Sequence, residues 1–276
     1  MSKAGIPVLN YHAIDGNMAE NPDSRNVSVS LQAFTEQMEW LHAQGYTSIT
    51  EAELKDVVLH RKALRGKHML ITFDDGYYSL YKYAQPIMAK YGFTATLFLS
   101  TAYIGKPYGL SDFYFVGDDR QLSWDEIRSL SDNGWSIQSH GHNHVKMNKQ
   151  EKSTLITEVT DSKKAIEKHL GKQVYSFAFP YGLYNKLVLD QLKAAGYTMA
   201  YSVHSGLLSR ASQCMRLPRI EINNMDSMAT FKAKVSTGYI SPQIERRSKM
   251  RDIIYRNPAV KDMIEKWTPK FGFGNH

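Results

Sequence analysis

Short runs of apolar residues alternate along the chain with longer helix-like stretches. The runs at 69–73, 94–100 and 197–203 are rich in β-branched, aromatic and aliphatic residues, which favours strands buried on both faces. The stretch at 31–44 has the apolar spacing of an amphipathic helix, and 151–170 is predicted to be a long helix. Strands that alternate with helices predict βα units and a parallel sheet with right-handed crossovers.

The ends of the predicted helices carry recurrent signals. Four times a helical stretch ends at a glycine, an aromatic residue follows and a strand-like run begins: Gly45-Tyr46, Gly92-Phe93, Gly134-Trp135 and Gly196-Tyr197. Glycine just past a helix favours the left-handed C-terminal cap. The pairs Thr50/Glu53 and Ser123/Glu126 have the spacing of a capping box at a helix start. Because no Gly/Ser/Pro-rich linker divides these units, the pattern favours one barrel over two domains.

Three regions depart from the alternation. A polar loop is predicted between the first strand, 6–11, and about Ser30. The helix at 77–91 should be interrupted, since Pro86 does not fit a helix interior. The stretch at 101–122 is long and irregular, and loops of that length are often functional. Its aromatic residues include Tyr103, Tyr108, Phe113, Tyr114 and Phe115. The other predicted elements are helices from Glu51, at 124–133 and at 186–195, and strands at 135–139 and 174–179.

Composition and charge narrow the choice of function only slightly. The 276 residues are enough for a full core in one large α/β domain. A formal net charge of +7 and a pI near 9.2 indicate either anionic surroundings, such as a membrane face or a charged glycan, or merely a basic surface. No Arg/Gly-rich tract or helix of clustered basic residues indicates nucleic-acid binding. Cys214 is the only cysteine, which excludes an intrachain disulfide.

The two ends of the chain bear on its location. No run of about 18 apolar residues predicts a membrane span, and the N-terminus lacks the apolar segment of a signal peptide. We therefore expect the chain as written to lie in the cytoplasm or at the inner face of a membrane, or outside the cytoplasm if a leader has been removed. The tail at 241–276 holds eight basic and four acidic residues with apolar residues interleaved. It predicts either peripheral membrane contact or packing on its own domain, which would comprise residues 1–240.

Two adjacent carboxylates, Asp74 and Asp75, follow the buried run at 69–73 and precede Gly76. Ligands and catalytic groups gather at the carboxyl ends of strands in α/β folds. A glycine behind a strand end lets the backbone turn and bring both acids into one pocket, where they need a cation or a shared proton. The alternative is that Asp74, Asp75 and Gly76 form only a polar surface turn.

Two histidines follow another predicted strand directly. His140 and His144 are four residues apart, so one helical turn would place both imidazoles on the same side, while His142 would face away. Two neutral imidazoles and one carboxylate leave an open position, as in catalytic Zn²⁺ sites, and other divalent metals accept the same ligands. A second carboxylate could then accept a proton from water. Surface histidines at this spacing are the alternative.

Three motifs in order make the resemblance specific. Thr72-Phe-Asp-Asp-Gly76, His140-x-x-x-His144 and Phe177-Ala-Phe-Pro-Tyr-Gly182 resemble the polysaccharide deacetylases with a NodB-type domain, carbohydrate esterase family 4. Pro7-Val-Leu-Asn-Tyr-His12, Gly45-Tyr46 and Leu217-Pro-Arg-Ile220 are similar to the poly-N-acetylglucosamine deacetylase branch. Together the motifs span about residues 6–222.

This resemblance implies an α/β fold, a distorted (β/α)7 barrel with a metal-dependent hydrolase site at the carboxyl ends of its strands. It implies Asp75, His140 and His144 as ligands of a divalent metal, most readily Zn²⁺, and Asp74 as the general base. Pro180 and Tyr181 would line the substrate site. A backbone N–H near Tyr181 would stabilise the oxyanion, because Phe-Pro-Tyr-Gly forms a rigid turn.

The chain departs from the family pattern in two places. Ala178 stands where the family often has an arginine that orients the base, which puts the tuning of Asp74 in question. The segment 215–219 lacks the histidine that often serves as general acid, and His204 is the nearest candidate. His12, at the end of the first strand, is expected to line the pocket or to have a structural role.

The implied activity is removal of N-acetyl groups from the N-acetylhexosamine residues of a polysaccharide or glycan precursor. The sequence is also compatible with two other functions. One is another amide or ester hydrolase of the same fold, such as an esterase for O-acetylated glycans. The other is a weakly active glycan-binding relative, for which the aromatic residues of 103–115 could stack on sugar rings.

Overall fold

A parallel sheet forms the centre of the molecule. The computed structural model describes residues 5–16, 27–106, 120–209 and 212–239. Its strands are β1 (Val8–Tyr11), β2 (Ala13–Asp15), β3 (Ser28–Ser30), β4 (Tyr46–Ser48), β5 (Lys67–Asp75), β6 (Thr96–Leu99), β7 (Ser136–Ser139), β8 (Ser176–Ala178), β9 (Met199–Tyr201) and β10 (Ile220–Glu221). The order β10-β1-β5-β6-β7-β8-β9 has every neighbouring pair parallel.

The segment before β10 joins the two edges of this sheet. Leu217 forms a parallel bridge with Tyr201, donates its N–H to Ala200 at 2.8 Å and accepts the N–H of Ser202 at 3.0 Å. Three residues later, Ile220 pairs with Leu9 of β1. The seven strands therefore curl into the distorted barrel that the sequence predicts.

Helices cover the outside of the barrel. They are α1 (Leu31–Ala43), α2 (Glu51–Leu59), α3 (Gln85–Lys90), α4 (Trp124–Asp132), α5 (Lys152–Leu170), α6 (Lys186–Ala194) and α7 (Met228–Thr237). Both predicted capping boxes are present, at Thr50 and Ser123. The four cap glycines have positive φ, as predicted. Pro86 lies in the first turn of α3, after a π-helical turn at Leu80–Ala84, so the predicted interruption is confirmed.

Alternate residues of the strands form two packing layers. Leu9, Tyr11, Ile71 and Phe73 belong to the large apolar cluster that packs against the helices. Val8, Leu70, Phe98, Met199 and Tyr201 come from different strands and form a second cluster, which is the interior of the barrel. Because side chains alternate along a strand, Asn10, Thr72 and Asp74 share this interior face.

Several local predictions differ from the structure. The strand at 69–73 extends to Lys67–Asp75, while the strands at 174–179 and 197–203 shorten to Ser176–Ala178 and Met199–Tyr201. The predicted loop before Ser30 contains β2 and β3, which pair with each other, and α7 was not predicted. The tail at 241–276 and most of the aromatic stretch lie outside the described residues. Within the described part of the chain, no helix is both long and apolar enough to cross a membrane.

Candidate active site

Asp74 and Asp75 are the last two residues of β5, and both are buried. The backbone reverses direction here: φ is 72° at Asp75 and 92° at Gly76, and Gly76 donates its N–H to the carbonyl of Asp74 at 2.9 Å. The φ of 92° would strain any other residue, and a Cβ at position 76 would lie only 2.7 Å from the side chain of Leu99, so the turn favours glycine. As predicted, the turn brings both carboxylates to one side of the strand end.

His140 and His144 reach the same place from the end of β7. They lie in a loop and not on the predicted helical turn, because Gly141 and His144 both have positive φ, 85° and 53°. Their rings nevertheless converge. The Nε2 atoms of His140 and His144 lie 3.6 Å and 3.4 Å from Oδ1 of Asp75. One ligand atom from each of the three residues falls within 4.8 Å of the others, and all three residues are buried.

The chemistry of this cluster fits a divalent metal. Nδ1 of His140 lies 2.8 Å from the carbonyl oxygen of Ala178, which only accepts, so the proton is on Nδ1 and Nε2 presents its lone pair to the cluster. Burial lowers the pKa of His144 well below its usual range, which keeps that imidazole neutral. Burial raises the pKa of Asp75, a penalty on its anion that a bound cation would relieve. Asp75, His140 and His144 suit Zn²⁺ and several other divalent ions.

An arginine that the sequence analysis did not assign to the site holds Asp74. Arg219 donates Nη1 to Oδ1 and Nη2 to Oδ2 of Asp74 at 2.7 Å and 2.8 Å, and both side chains are buried. Its Nη1 also donates to Asn10 Oδ1 at 2.8 Å, and its Nε to the carbonyl of Ser202 at 3.2 Å. The expectation that Asp74 lacks an orienting arginine because position 178 is an alanine was therefore wrong. Arg219 supplies the guanidinium from the segment that closes the barrel.

The ion pair sets the protonation state of Asp74. Burial acts to raise the pKa of Asp74, but the charge of Arg219 and its two hydrogen bonds outweigh burial and hold that pKa well below its usual range. Asp74 is therefore an oriented carboxylate at neutral pH. Arg219 was visible in the sequence as a lone cation in the apolar run Leu217-Pro-Arg-Ile220, although nothing local indicates its partner.

His12 lies at the same edge of the barrel. Tyr11 pairs with Phe73 in register, so His12 and Asp74 are the next residues on two neighbouring strands. Burial is the largest influence on the pKa values of Asp74, Asp75 and His144, and the charge of His12 acts on all three. His12 is partly buried. The register thus places His12 at the strand end beside that of Asp74, and its role in lining the pocket stays a prediction.

His204 follows β9 and is held through its backbone and its ring. Its Nδ1 lies 2.8 Å from the hydroxyl of Ser202, and its carbonyl accepts the N–H of Arg219 at 3.1 Å. The role of His204 as general acid stays a prediction.

Pro180 and Tyr181 form a wall beside the histidines. The single turn at Pro180–Gly182 holds Tyr181 at a φ of 57°, and the Tyr181 ring centroid is 4.7 Å from that of His144. Lys146 lies above the same tyrosine, with Nζ 5.3 Å from the ring centroid. Strain of this kind is common at functional sites. The oxyanion role of the backbone N–H near Tyr181 stays a prediction.

Comparisons with known proteins agree with this geometry. The family model named polysaccharide deacetylase matches residues 61–200, about half of the chain. YxkH of Bacillus subtilis, a protein assigned to the polysaccharide deacetylases, is 30% identical over 85% of this chain and 77% of its own length. The poly-β-1,6-N-acetyl-D-glucosamine N-deacetylase of Staphylococcus aureus is 28% identical over 78% of each chain. The Streptococcus pyogenes deacetylase PplD, solved with acetate, superposes with a TM-score of 0.71 at 26% identity over 79% of this chain and 92% of that one.

Proposed function

The chain belongs to the polysaccharide deacetylase family, and from that premise we propose that it is a metal-dependent hydrolase that removes N-acetyl groups from the N-acetylhexosamine units of a glycan. One observation carries the proposal. The buried set Asp75, His140 and His144 lies beside a second buried carboxylate, Asp74, which Arg219 holds in a fixed orientation. A simple polar turn or a pair of surface histidines would not require these two carboxylates and two imidazoles to be buried together.

We assign the metal-ligand role to Asp75, His140 and His144. A bound divalent ion supplies Lewis acidity, which polarises an amide carbonyl and makes a water molecule more acidic. The protein contributes the preorganisation. The hydrogen bond from His140 to the carbonyl of Ala178 fixes the ring, and the turn at Asp75 aims its carboxylate at both imidazoles.

Asp74 is the general base in this proposal. Its neighbour in sequence, Asp75, faces the histidines, so the two acids take different roles although both occupy one pocket. Arg219 keeps Asp74 ionised and fixes both of its oxygens, which orients the carboxylate toward the cluster for proton abstraction from the attacking water. The low pKa implies that Asp74 stays deprotonated throughout the neutral range.

A proton donor for the departing amine has two candidates. We favour His12, because it follows a strand directly beside that of Asp74 and its charge acts on Asp74, Asp75 and His144. His204 is the second candidate, since it lies at the carboxyl end of β9 and Ser202 fixes its ring through Nδ1. Both imidazoles belong to strand ends on the catalytic edge of the barrel.

Kinetics of His12→Ala and His204→Ala with saturating metal separate these candidates. We expect His12→Ala to lower kcat by about 10²–10⁴-fold, because loss of the acid removes proton transfer to the amine. His204→Ala should retain most of kcat. The opposite pattern would assign the proton to His204, and two fully active variants would exclude both residues.

The first substrate to test is β-1,6-linked poly-N-acetylglucosamine. The Staphylococcus aureus relative is named for this activity, and its similarity covers most of the present chain. An acetate-release panel should also contain β-1,4-linked N-acetylglucosamine oligomers, peptidoglycan fragments and acetyl-xylan. Acetate release from one amide-linked glycan supports the proposal. Release from acetyl-xylan alone would instead support an O-acetyl esterase, and tight binding without release would support a glycan-binding relative.

A further inference from the structure

A buried glutamate outside the catalytic cluster contacts the loop between its two histidines. Glu158 lies in the middle of α5 and is fully buried. One of its carboxylate oxygens, Oε2, accepts the backbone N–H groups of His142 and Asn143, each at 2.8 Å, and Oε1 accepts Nδ2 of Asn143 at 2.8 Å. The carboxylate thus binds the loop at three donors.

The conformation of the loop explains why it contacts a carboxylate. Only three residues separate His140 from His144, and the left-handed conformation at Gly141 turns the next two N–H groups away from the sheet and toward α5. A buried N–H without an acceptor is destabilising. A carboxylate oxygen accepts two such groups at once, and its charge strengthens both bonds. The space is tight, since a Cβ at position 141 would lie 3.0 Å from Oε2 of Glu158.

Other contacts anchor the same loop from its remaining sides. Ser139 accepts the N–H of Gly141 at 3.2 Å and pairs with Ser162, one turn after Glu158, at 2.7 Å. On the opposite side, Thr101 donates its N–H to the carbonyl of Gly141 at 3.2 Å, and its hydroxyl lies 2.8 Å from Nδ1 of His142. Among these anchors, Glu158 is the one whose carboxylate accepts two consecutive backbone N–H groups between the two histidines.

We infer that Glu158 is a positioning residue for the metal ligands, acting through the backbone of residues 142 and 143 to hold His140 and His144 in register for a divalent ion. This inference rests on the proposed function, because it takes His140 and His144 to be ligands. If Glu158 sets their geometry, its loss lowers metal affinity even in folded protein. Outer-shell groups that orient metal ligands typically change affinity by about 10–100-fold.

A second glutamate of the same helix supplies the matched control. Glu167 also accepts a backbone N–H, that of Val174, at 2.9 Å, and it pairs with Lys163 at 2.9 Å. Like Glu158, Glu167 is a residue of α5 whose carboxylate accepts a main-chain N–H. Among the described contacts, however, it touches no residue of the 140–144 loop. If Glu158 contributes only to stability, substitution of either glutamate should lower the melting temperature and leave the Zn²⁺ affinity unchanged.

The test is the Zn²⁺ affinity of the 276-residue chain, which is stripped of metal and titrated in competition with a chromophoric chelator. Circular dichroism at the same temperature confirms that each variant is folded. We expect E158A to weaken Zn²⁺ binding by about 10–100-fold. E158Q should weaken it less, because an amide oxygen still accepts both N–H groups but without the charge. N143A removes only the contact to Oε1, so its loss of Zn²⁺ affinity should be smaller than that of E158A. E167Q should lower the melting temperature without changing the Zn²⁺ affinity.

The outcomes separate the inference from the proposal beneath it. Wild-type protein that binds no Zn²⁺ would overturn the proposed metal centre, and the inference with it. Wild-type protein that binds Zn²⁺, together with E158Q and N143A variants of unchanged affinity, would overturn the inference alone. If E158A does not fold, E158Q and N143A still decide the matter, because each keeps most of the contacts of the helix.

Discussion

At the scale of single residues, the pair formed by Asp74 and Arg219 is central to the proposed chemistry. A carboxylate in the barrel interior would normally take up a proton because burial penalises its charge. The two hydrogen bonds from Arg219 reverse this tendency and fix the direction of both oxygens. In the proposed role of general base, Asp74 has to be ionised for proton abstraction and rigid for orientation, and the guanidinium of Arg219 provides both properties.

Breaking this pair should be costly for stability as well as activity. Arg219→Met leaves Asp74 as a buried uncompensated charge, so we expect the free energy of unfolding to fall by about 3–5 kcal/mol. Adding Asp74→Asn to that variant removes the stranded charge and should recover part of the loss, while activity stays absent. Denaturant unfolding of the two single variants and the double variant measures this. A double variant that is less stable than either single variant would contradict the account.

A second ion pair makes a prediction about pH. The hydrogen bond from Arg120, followed by those from Ser123, lowers the pKa of Glu126 from 4.5 to about 2. The folded-state value lies below the unfolded one, so this contribution to stability is complete above about pH 4.5 and is lost as the pH falls toward 2. Glu126→Gln keeps a capping-box acceptor but loses the charge that pairs with Arg120, so it should cost roughly 1 kcal/mol at pH 7 and less at pH 3.5. Unfolding curves at both pH values test this, and a constant difference would contradict it.

Residue roles differ in how far sequence reveals them. Asp75, His140 and His144 were predicted because two short motifs name them, and the structure brings them together. The partner of Asp74 was not predicted, because Arg219 lies 145 positions away and only barrel closure brings the two residues into contact. The helical turn assumed for the two histidines was wrong, since spacing alone does not distinguish a helix from a loop held by Glu158.

At the scale of elements, local signals were reliable and long-range pairing was not. Capping boxes and glycine caps were predicted because they depend on residues close in sequence. The short strands β2 and β3 and the helix α7 were missed. Pairing in β2 and β3 depends on contacts across a chain separation that periodicity does not report, and α7 follows an irregular segment. The closing role of Leu217 likewise appears only in three dimensions.

The first residue of α2 ties that helix to the barrel interior. The buried carboxylate of Glu51 accepts hydrogen bonds from Thr96 at 3.2 Å, from Tyr201 at 2.8 Å, and from Ser176. Burial raises the pKa of Glu51 despite these bonds. Three strands thus meet one helix at a single polar group.

We expect Glu51→Ala to destabilise the protein by on the order of 3 kcal/mol, because it leaves buried hydroxyls without their acceptor. Glu51→Gln should cost less, since the hydroxyls can pair with an amide as either donors or acceptors. Thermal and denaturant unfolding compare the two. An equal loss for both variants would show that side-chain volume, rather than hydrogen bonding, sets the contribution of this residue.

At the scale of the whole molecule, the barrel collects residues from distant parts of the chain at one edge. His12, Asp74 and His140 follow or end different strands, and Arg219 directly precedes β10 and reaches Asp74 through its side chain. Each position depends on the parallel register of the neighbouring strands. The sequence predicted this edge because ligands gather at the carboxyl ends of parallel strands. Metal bound there would link several strands and would couple site occupancy to global stability.

Metal removal should therefore lower the melting temperature. Binding to the folded state alone stabilises it by about 2.7 kcal/mol when free metal is about 100 times Kd. His144→Ala should abolish the shift between chelator and Zn²⁺. The matched control is His142→Ala, because the His142 ring contacts Thr101 instead of the cluster and the shift should persist. A melting temperature that does not respond to metal in the wild-type protein would argue against the site.

The measurement that tests the account most directly is acetate release from β-1,6-linked poly-N-acetylglucosamine by metal-stripped protein before and after Zn²⁺ is restored, with Asp74→Asn measured alongside. The account predicts no release from stripped protein, recovery with metal, and a loss in the variant of about 10²-fold or more that added metal does not restore. Release by stripped protein, or full activity of folded Asp74→Asn protein, would contradict the assignment of the metal centre and its base.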